Sequence, residues 1–127
     1  MEPNEDPVQT VLREIFEETG LVSKISKNSN TPTLTFDYPE IIEAPRHILV
    51  ENIDDPDDGH HQHIDMIYYC YPAEGIMDLL PGWSFFSYEV LKTALKAHQL
   101  EKTHLDPSIN PPLDVLTLGV DAITQTV

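Results

Sequence analysis

Basic side chains are scarce in this sequence. Its 127 residues include 7 lysines and arginines against 22 aspartates and glutamates, for a formal net charge of -15 at pH 7. A surface of this sign repels phosphate backbones, which excludes nonspecific nucleic-acid binding through counterion release. It also repels a small phosphorylated substrate, so bound cations are the expected means of recruiting one.

Cysteine and long apolar runs are nearly absent as well. The single cysteine, Cys70, excludes a disulfide within the chain and fits a reducing compartment. Its apolar neighbours predict a small core residue rather than a nucleophile. No stretch approaches about 20 apolar residues, and no apolar run at the N-terminus indicates a signal peptide. We therefore expect a cytoplasmic protein with no membrane contact, and the length predicts a single domain over residues 1–127.

The first helix is marked at both ends. Asp6, Pro7 and Gln9 are typical of an N-cap, a proline at the first helical position and an N3 glutamine, a variant of the capping box. Gly20 is suited to the left-handed residue that ends a helix. Between these ends runs an apolar stripe at helical spacing, formed by Val8, Val11, Leu12 and Ile15.

Three glutamates share the face beside that stripe. Glu14, Glu17 and Glu18 stand at i, i+3 and i+4, where like charges cost roughly 0.2–0.5 kcal/mol per pair. Arg13, four residues before Glu17, can hold that carboxylate. Clustered carboxylates suit hard cations such as Mg²⁺ or Mn²⁺. For the three glutamates taken alone, a solvated acidic face is the alternative.

The complete string from Glu5 to Leu21 resembles the signature of the Nudix hydrolases. That signature reads Gly, five residues, Glu, seven residues, Arg-Glu, an aliphatic residue, any residue, Glu-Glu, any residue, Gly and an aliphatic residue. The positions that match in register are Glu5, Arg13, Glu14, Ile15, Glu17, Glu18, Gly20 and Leu21. The resemblance implies an α+β protein with the α/β/α sandwich-like Nudix fold, in which helices flank a mixed sheet.

The opening glycine of the signature would lie six residues before Glu5, ahead of Met1. We therefore expect a chain that begins inside the motif, lacks the strands that precede it in the family, and is incomplete at the N-terminus of the sheet. Sheet edges exposed in this way favour pairing of two copies into a homodimer.

The resemblance also implies a reaction and roles for the matching residues. The substrate would be a small nucleotide, a nucleoside diphosphate derivative, cleaved at its diphosphate linkage by metal-assisted attack of water on phosphorus. Glu14, Glu17 and Glu18 would hold Mg²⁺ or Mn²⁺. Arg13 would orient Glu17, and Glu5 would support the loop or complete the metal shell.

The general base is expected to be Glu17 or Glu18, with Glu74 as a candidate from outside the helix. Two other functions stay open. The chain is an inactive remnant if it binds metal without a substrate pocket. It is a noncatalytic module if it senses nucleotides or binds protein.

A histidine-rich segment opens the predicted strand over residues 60–71. Strand alternation places His61, His63 and Asp65 on one face. Three interpretations stay open: this row lines the substrate cleft and donates to phosphate or ribose oxygens, it binds a transition metal, or it is an exposed strand end.

Further strands are predicted over residues 21–26, 33–38, 46–52 and 83–86, and further helices after Ser87 and after residues 110–112. The acidic stretch 54–59 is predicted to be a solvated turn. Tyr38 is predicted either to stack on a nucleotide base or to pack in the core. Trp83 and Phe85 are assigned to the core.

Overall fold

The computed structural model describes residues 1–29, 34–74, 78–101 and 111–126. These residues form a mixed α+β protein, which agrees with the predicted fold class. The elements in chain order are α1 (Pro7–Thr19), β1 (Ser23–Ile25), β2 (His47–Asp55), β3 (Gly59–Ile67), β4 (Cys70–Pro72), α2 (Tyr88–Glu101) and α3 (Leu113–Thr126). The chain divides into two compact units, Met1–Gly82 and Trp83–Val127.

Helix α1 has the ends that the sequence predicts. The Asp6 carboxylate accepts a hydrogen bond from the Gln9 backbone N–H (2.8 Å), and the Gln9 side chain accepts one from the Asp6 N–H (3.0 Å). Gly20 ends the helix with φ 82°, and its N–H donates to the Phe16 carbonyl (2.9 Å). A Cβ atom at position 20 would lie 3.1 Å from Leu80 Cγ, so both the backbone conformation and the packing favour glycine there.

The strands of the first unit form two antiparallel pairs among the described residues, rather than the expected single mixed sheet. β1 pairs with β4. β2 pairs with β3 as a hairpin of two nine-residue strands, in which Glu51 faces His63. Alternate residues of this hairpin place four apolar side chains on one exposed face. They are Ile48, Val50, Ile64 and Met66.

The predicted strand over residues 60–71 is interrupted between β3 and β4. The Ile67 carbonyl accepts from the Arg46 N–H (2.7 Å), but the Tyr69 carbonyl accepts from the Ser26 N–H (2.7 Å). The chain therefore changes its hydrogen-bonding partner from the β2 side to the β1 side within two residues. Tyr69 lies at this junction with 4% of its surface exposed, and its hydroxyl lies 3.1 Å from His47 Nε2.

The predicted strand over residues 33–38 is wrong where the structure describes it, since residues 34–38 are neither helix nor strand. Without a pairing strand this segment has no sheet face to bury side chains, and Tyr38 is 91% exposed. The core alternative for Tyr38 is therefore wrong. The strand over 46–52 is confirmed and runs on through Asp55, which shortens the predicted acidic turn to residues 56–58.

In the second unit, helix α2 begins as predicted, because the Ser87 hydroxyl accepts from the Val90 N–H (3.2 Å). Leu91 and Leu116 are buried where α2 and α3 pack, and Leu91 Cδ1 would lie 3.1 Å from a Cβ atom at Gly119. The assignment of Trp83 and Phe85 to the core is wrong. They are 50% and 57% exposed, and residues 83–87 form no strand that could bury them.

Candidate functional site

Arg13 is the centre of an ion cluster on α1. Its Nε donates to Glu5 Oε2 (2.8 Å) and its Nη2 to Glu5 Oε1 (3.1 Å), so one carboxylate fills the fork of the guanidinium. Its Nη1 donates to Glu17 Oε2 (2.9 Å) one helical turn further along. We call Glu5, Arg13 and Glu17 the arginine clamp. It joins the segment before α1 to the acidic face of the helix.

Glu5 is held by more than the arginine. Its Oε1 also accepts from the Glu2 N–H (2.7 Å) and lies 3.3 Å from the Thr10 hydroxyl. The hydrogen bond from Arg13, followed by that from Glu2, lowers the pKa of Glu5 from 4.5 to about 2. The same hydrogen bond raises the pKa of Arg13 above its ordinary value. Because both Glu5 oxygens are engaged, the geometry favours the loop-supporting role over a place in a metal shell.

The acidic face of α1 is open to solvent. Glu14, Glu17 and Glu18 are exposed, and Glu14 Oε1 lies 3.9 Å from Arg13 Nη2. Within the described ranges, no three carboxylate, imidazole or thiol groups are placed so that they could hold a metal ion together. The donor chemistry nevertheless fits a hard cation, since three carboxylates share one helical face and their exposed side chains can rotate. Such a site would form by side-chain rearrangement on binding.

A cavity of about 470 Å³ lies between α1 and β3 within the first unit. On the helix side it is lined by Pro7, Thr10, Val11 and Glu14, together with Met1. Residues 64–68 line the opposite side and include the half-buried Asp65. The structure therefore brings one predicted metal ligand, Glu14, and one predicted substrate-binding residue, Asp65, to the same cavity.

Sequence reasoning missed two hydroxyl groups in this cavity. The Thr10 hydroxyl lies 3.1 Å from the Asp6 carbonyl, and the Tyr68 hydroxyl donates to the Glu43 carbonyl (3.0 Å). Burial, with the nearby charges of Asp6 and Glu43, raises the pKa of Tyr68. The sequence carries a signal for Thr10, which stands four residues before Glu14 on the same face. It carries none for Tyr68, whose place depends on the junction between β3 and β4.

The other predicted substrate-binding residues lie away from the cavity lining. His61 and His63 contact each other near the turn of the β2–β3 hairpin, with Nε2 atoms 3.3 Å apart. Tyr38 lies in the exposed segment after residue 33. The candidate base Glu74 is exposed as well. Binding of substrate by these residues stays a prediction.

Cys70, in β4, is half-buried, and burial raises the pKa of its thiol to about 11. A thiol of this pKa is protonated at neutral pH and is a weak nucleophile, which agrees with the predicted packing role. Among the described residues no helix has the length and apolar character needed to cross a membrane.

The chain matches no protein-family model, no curated protein and no solved structure. Its function is therefore inferred from the residues of α1 and the cavity beside them.

Proposed function

We propose that this protein is a metal-dependent hydrolase that cleaves the diphosphate linkage of a nucleoside diphosphate derivative. The observation that carries the proposal is the arginine clamp. Arg13 donates hydrogen bonds to Glu5 from two nitrogens and to Glu17 from a third. These three residues stand at the spacings of the Nudix signature. The Nudix fold itself is part of this proposal.

The acidic face of α1 would supply the metal ligands. Glu14, Glu17 and Glu18 would hold Mg²⁺ or Mn²⁺, because hard cations prefer carboxylate oxygens. A cation bound there neutralises phosphate oxygens and lowers the pKa of a coordinated water. It would also offset the negative charge that otherwise repels the substrate.

Arg13 would act as a positioning residue for Glu17. It binds one carboxylate oxygen, Oε2, and so leaves the other in a defined direction, where it can accept a proton from the attacking water. Glu5 keeps the guanidinium in that orientation, since it occupies the fork on the opposite side. Glu18 is the alternative base on the same helical face.

The cavity beside α1 would receive the nucleotide. Its volume of about 470 Å³ is within the range of small-molecule pockets, roughly 300–1,000 Å³. Glu14 at its edge links the cavity to the proposed metal ligands. Asp65 presents a carboxylate to the cavity, and Thr10 and Tyr68 present hydroxyl oxygens whose hydrogens are donated to protein oxygens. All three are therefore acceptors that suit the hydroxyl groups of a ribose.

A noncatalytic nucleotide-binding module is the second candidate. It is favoured by the separation of the carboxylates, because the described residues hold no group of three donors ready for a metal. In that case the cavity would bind a nucleotide without hydrolysis, and the clamp would only stabilise the helix.

Turnover of a panel of nucleoside diphosphate derivatives, with Mg²⁺ and with a chelator, separates these candidates. We expect hydrolysis only with Mg²⁺. Glu17→Gln should lower kcat by roughly 10²–10³-fold with little change in melting temperature. Glu89→Gln, at an exposed glutamate in the first turn of α2, is the matched control and should keep full activity.

An absence of turnover on the whole panel would reject the hydrolase. Calorimetry with an unhydrolysable nucleotide would then separate a nucleotide-binding module, which gives a saturable signal, from an inactive remnant. Full activity of Glu17→Gln would reject the assigned role of Glu17.

A further inference from the structure

Two imidazoles meet nitrogen to nitrogen near the turn of the β2–β3 hairpin. His61 and His63 are two residues apart on β3 and therefore share one face of the strand. Their Nε2 atoms are 3.3 Å apart, and their ring centroids are 5.0 Å apart with a 55° angle between the planes. The rings thus approach each other through ligating atoms rather than through stacked faces.

The hydrogen-bond partner of His61 determines its tautomer. His61 Nδ1 lies 3.0 Å from the Gly59 carbonyl oxygen, which can only accept, so Nδ1 carries the hydrogen. In the neutral ring Nε2 then has a lone pair, which accepts a hydrogen bond from His63 Nε2–H. A backbone carbonyl that holds the other ring nitrogen in this way is typical of metal-binding histidines.

The nitrogen separation matches a tetrahedral ion. Two nitrogens bonded to one zinc ion at about 2.0–2.1 Å in tetrahedral geometry are about 3.3–3.4 Å apart. An octahedral ion of the same bond length would bring neighbouring nitrogens to about 2.9 Å. The observed 3.3 Å lets both Nε2 atoms reach one tetrahedral ion once the two rings rotate toward it, while the hydrogen of His63 moves from Nε2 to Nδ1 by exchange with solvent.

The turn before His61 holds this arrangement in place. Asp55 Oδ1 accepts from the N–H groups of Asp57 (2.7 Å) and Asp58 (3.0 Å) and so fixes the loop. Gly59 follows with φ 74°, a conformation that orients the carbonyl bonded to His61. The acceptor of His61 therefore belongs to an ordered turn.

We propose that His61 and His63 bind a zinc-class transition metal ion through their Nε2 atoms. Glu51 is the third ligand, and water completes the tetrahedron. Glu51 lies directly opposite His63 and on the same face of the hairpin, where facing Cβ atoms are about 4.5–5.5 Å apart. Because the described residues contain no preformed group of three donors, Glu51 reaches the ion by rotation of its exposed side chain.

This site differs in chemistry from the acidic face of α1. Imidazole nitrogen suits zinc, copper and nickel, whereas clustered carboxylates suit Mg²⁺ and Mn²⁺. The zinc site therefore does not depend on the proposed hydrolase function, and excess Mg²⁺ should not displace the bound zinc.

The test is titration of the whole chain with Zn²⁺ by calorimetry at neutral pH and in excess Mg²⁺. We expect one saturable site. His61→Ala and His63→Ala should each lower the affinity for Zn²⁺ at least about tenfold. Glu51→Gln should lower it less, because Glu51 reaches the ion only after its side chain rotates. His60→Ala is the matched control, since His60 lies on the same strand but on its opposite face, and it should keep the wild-type affinity.

NMR on the unmodified protein tests the assignment independently of any effect of the variants on folding. One equivalent of Zn²⁺ should shift the ring signals of His61 and His63 and leave those of His47 and His98 in place. Co²⁺ should give the visible absorption of a tetrahedral complex. The proposal is overturned by absent saturation, by unchanged affinity in His63→Ala, or by an equal loss in His60→Ala.

Discussion

The arginine clamp on α1 and the histidine pair on the β2–β3 hairpin both bring ligating side chains together, but they balance charge differently. In the clamp a guanidinium lies between two carboxylates at 2.8–3.1 Å, and further glutamates extend along the helix. In the hairpin two imidazoles approach to 3.3 Å with one ring anchored to a backbone carbonyl. The clamp is thus an ion-pair network that leaves carboxylates free for a hard cation. The histidine pair offers two imidazole nitrogens, the ligand type that suits a softer cation.

The two regions also differ in how the backbone supports them. The clamp depends on helical periodicity, since Arg13 and Glu17 stand one turn apart. The histidine pair depends on strand alternation and on one turn carbonyl. In the helix, sequence spacing alone brings the ligating side chains together, whereas in the hairpin the turn must also form correctly. Substitutions in the two regions should show these requirements separately.

Among the substitutions that compare these two regions, Arg13→Lys has the largest expected effect. A single ammonium cannot fill the fork of Glu5 and reach Glu17 together, so turnover should fall about 10–100-fold. The loss should appear in kcat rather than in KM, because Arg13 holds Glu17 and not the substrate. Steady-state kinetics measures this, and Zn²⁺ titration of the same variant should give the wild-type affinity.

If Arg13→Lys weakened Zn²⁺ binding as much as it lowered turnover, the two regions would not be independent. Full turnover of Arg13→Lys would instead reject the positioning role of Arg13.

A pair of glycine substitutions compares the two supporting backbones. Gly20 and Gly59 both have positive φ, 82° and 74°, so alanine at either position is strained by about 1 kcal/mol. Gly20→Ala also places a Cβ atom 3.1 Å from Leu80 Cγ, while at Gly59 nothing lies within 4 Å. Urea unfolding should therefore show a loss of about 2 kcal/mol for Gly20→Ala and about 1 kcal/mol for Gly59→Ala. Equal losses would contradict the contact with Leu80.

The smallest expected effect is a change in unfolding free energy as the pH is lowered, which can be compared between Glu5 and Asp55. The pKa of Glu5 is lowered from 4.5 to about 2, so its stabilising contribution is present above pH 4.5 and is lost as pH falls toward 2. Hydrogen bonds from the backbone of Asp58 and Asp57 lower the pKa of Asp55 from 3.8. Its contribution to the stability of the folded chain is therefore also lost as pH falls. The difference in unfolding free energy between wild type and Glu5→Gln should shrink through this range. The difference between wild type and Asp55→Asn should likewise shrink as pH falls below 3.8.

The difference for Glu5 should vanish only below pH 2, where this carboxylate is protonated in folded and unfolded chains alike. A constant difference from pH 7 to pH 2 would contradict the ionic character of the clamp.

Local signals in the sequence predicted α1 well. The capping box of Asp6 and Gln9, the left-handed Gly20 and the ion pair of Arg13 with Glu17 all form as expected. Each depends on residues within one or two turns of helix, so no distant contact is needed to place it.

Predictions that needed distant partners failed more often. The assignment of Trp83 and Phe85 to the core depends on a short aromatic strand that packs beneath the following helix, but residues 83–87 form no strand. The strand over 60–71 was predicted as continuous, because nothing local indicates that the chain changes partner strand at Tyr69.

The sequence by itself determined the caps of α1, the helical face shared by its glutamates, and the strand alternation that puts His61 beside His63, since each follows from the repeat of a single element. Only the tertiary structure decided that Tyr68 and Asp65 lie across a cavity from Glu14, and that β2 pairs with β3 so that Glu51 faces His63. These features require separate segments of backbone to meet. Such meetings depend on pairing and burial, and no local spacing encodes them.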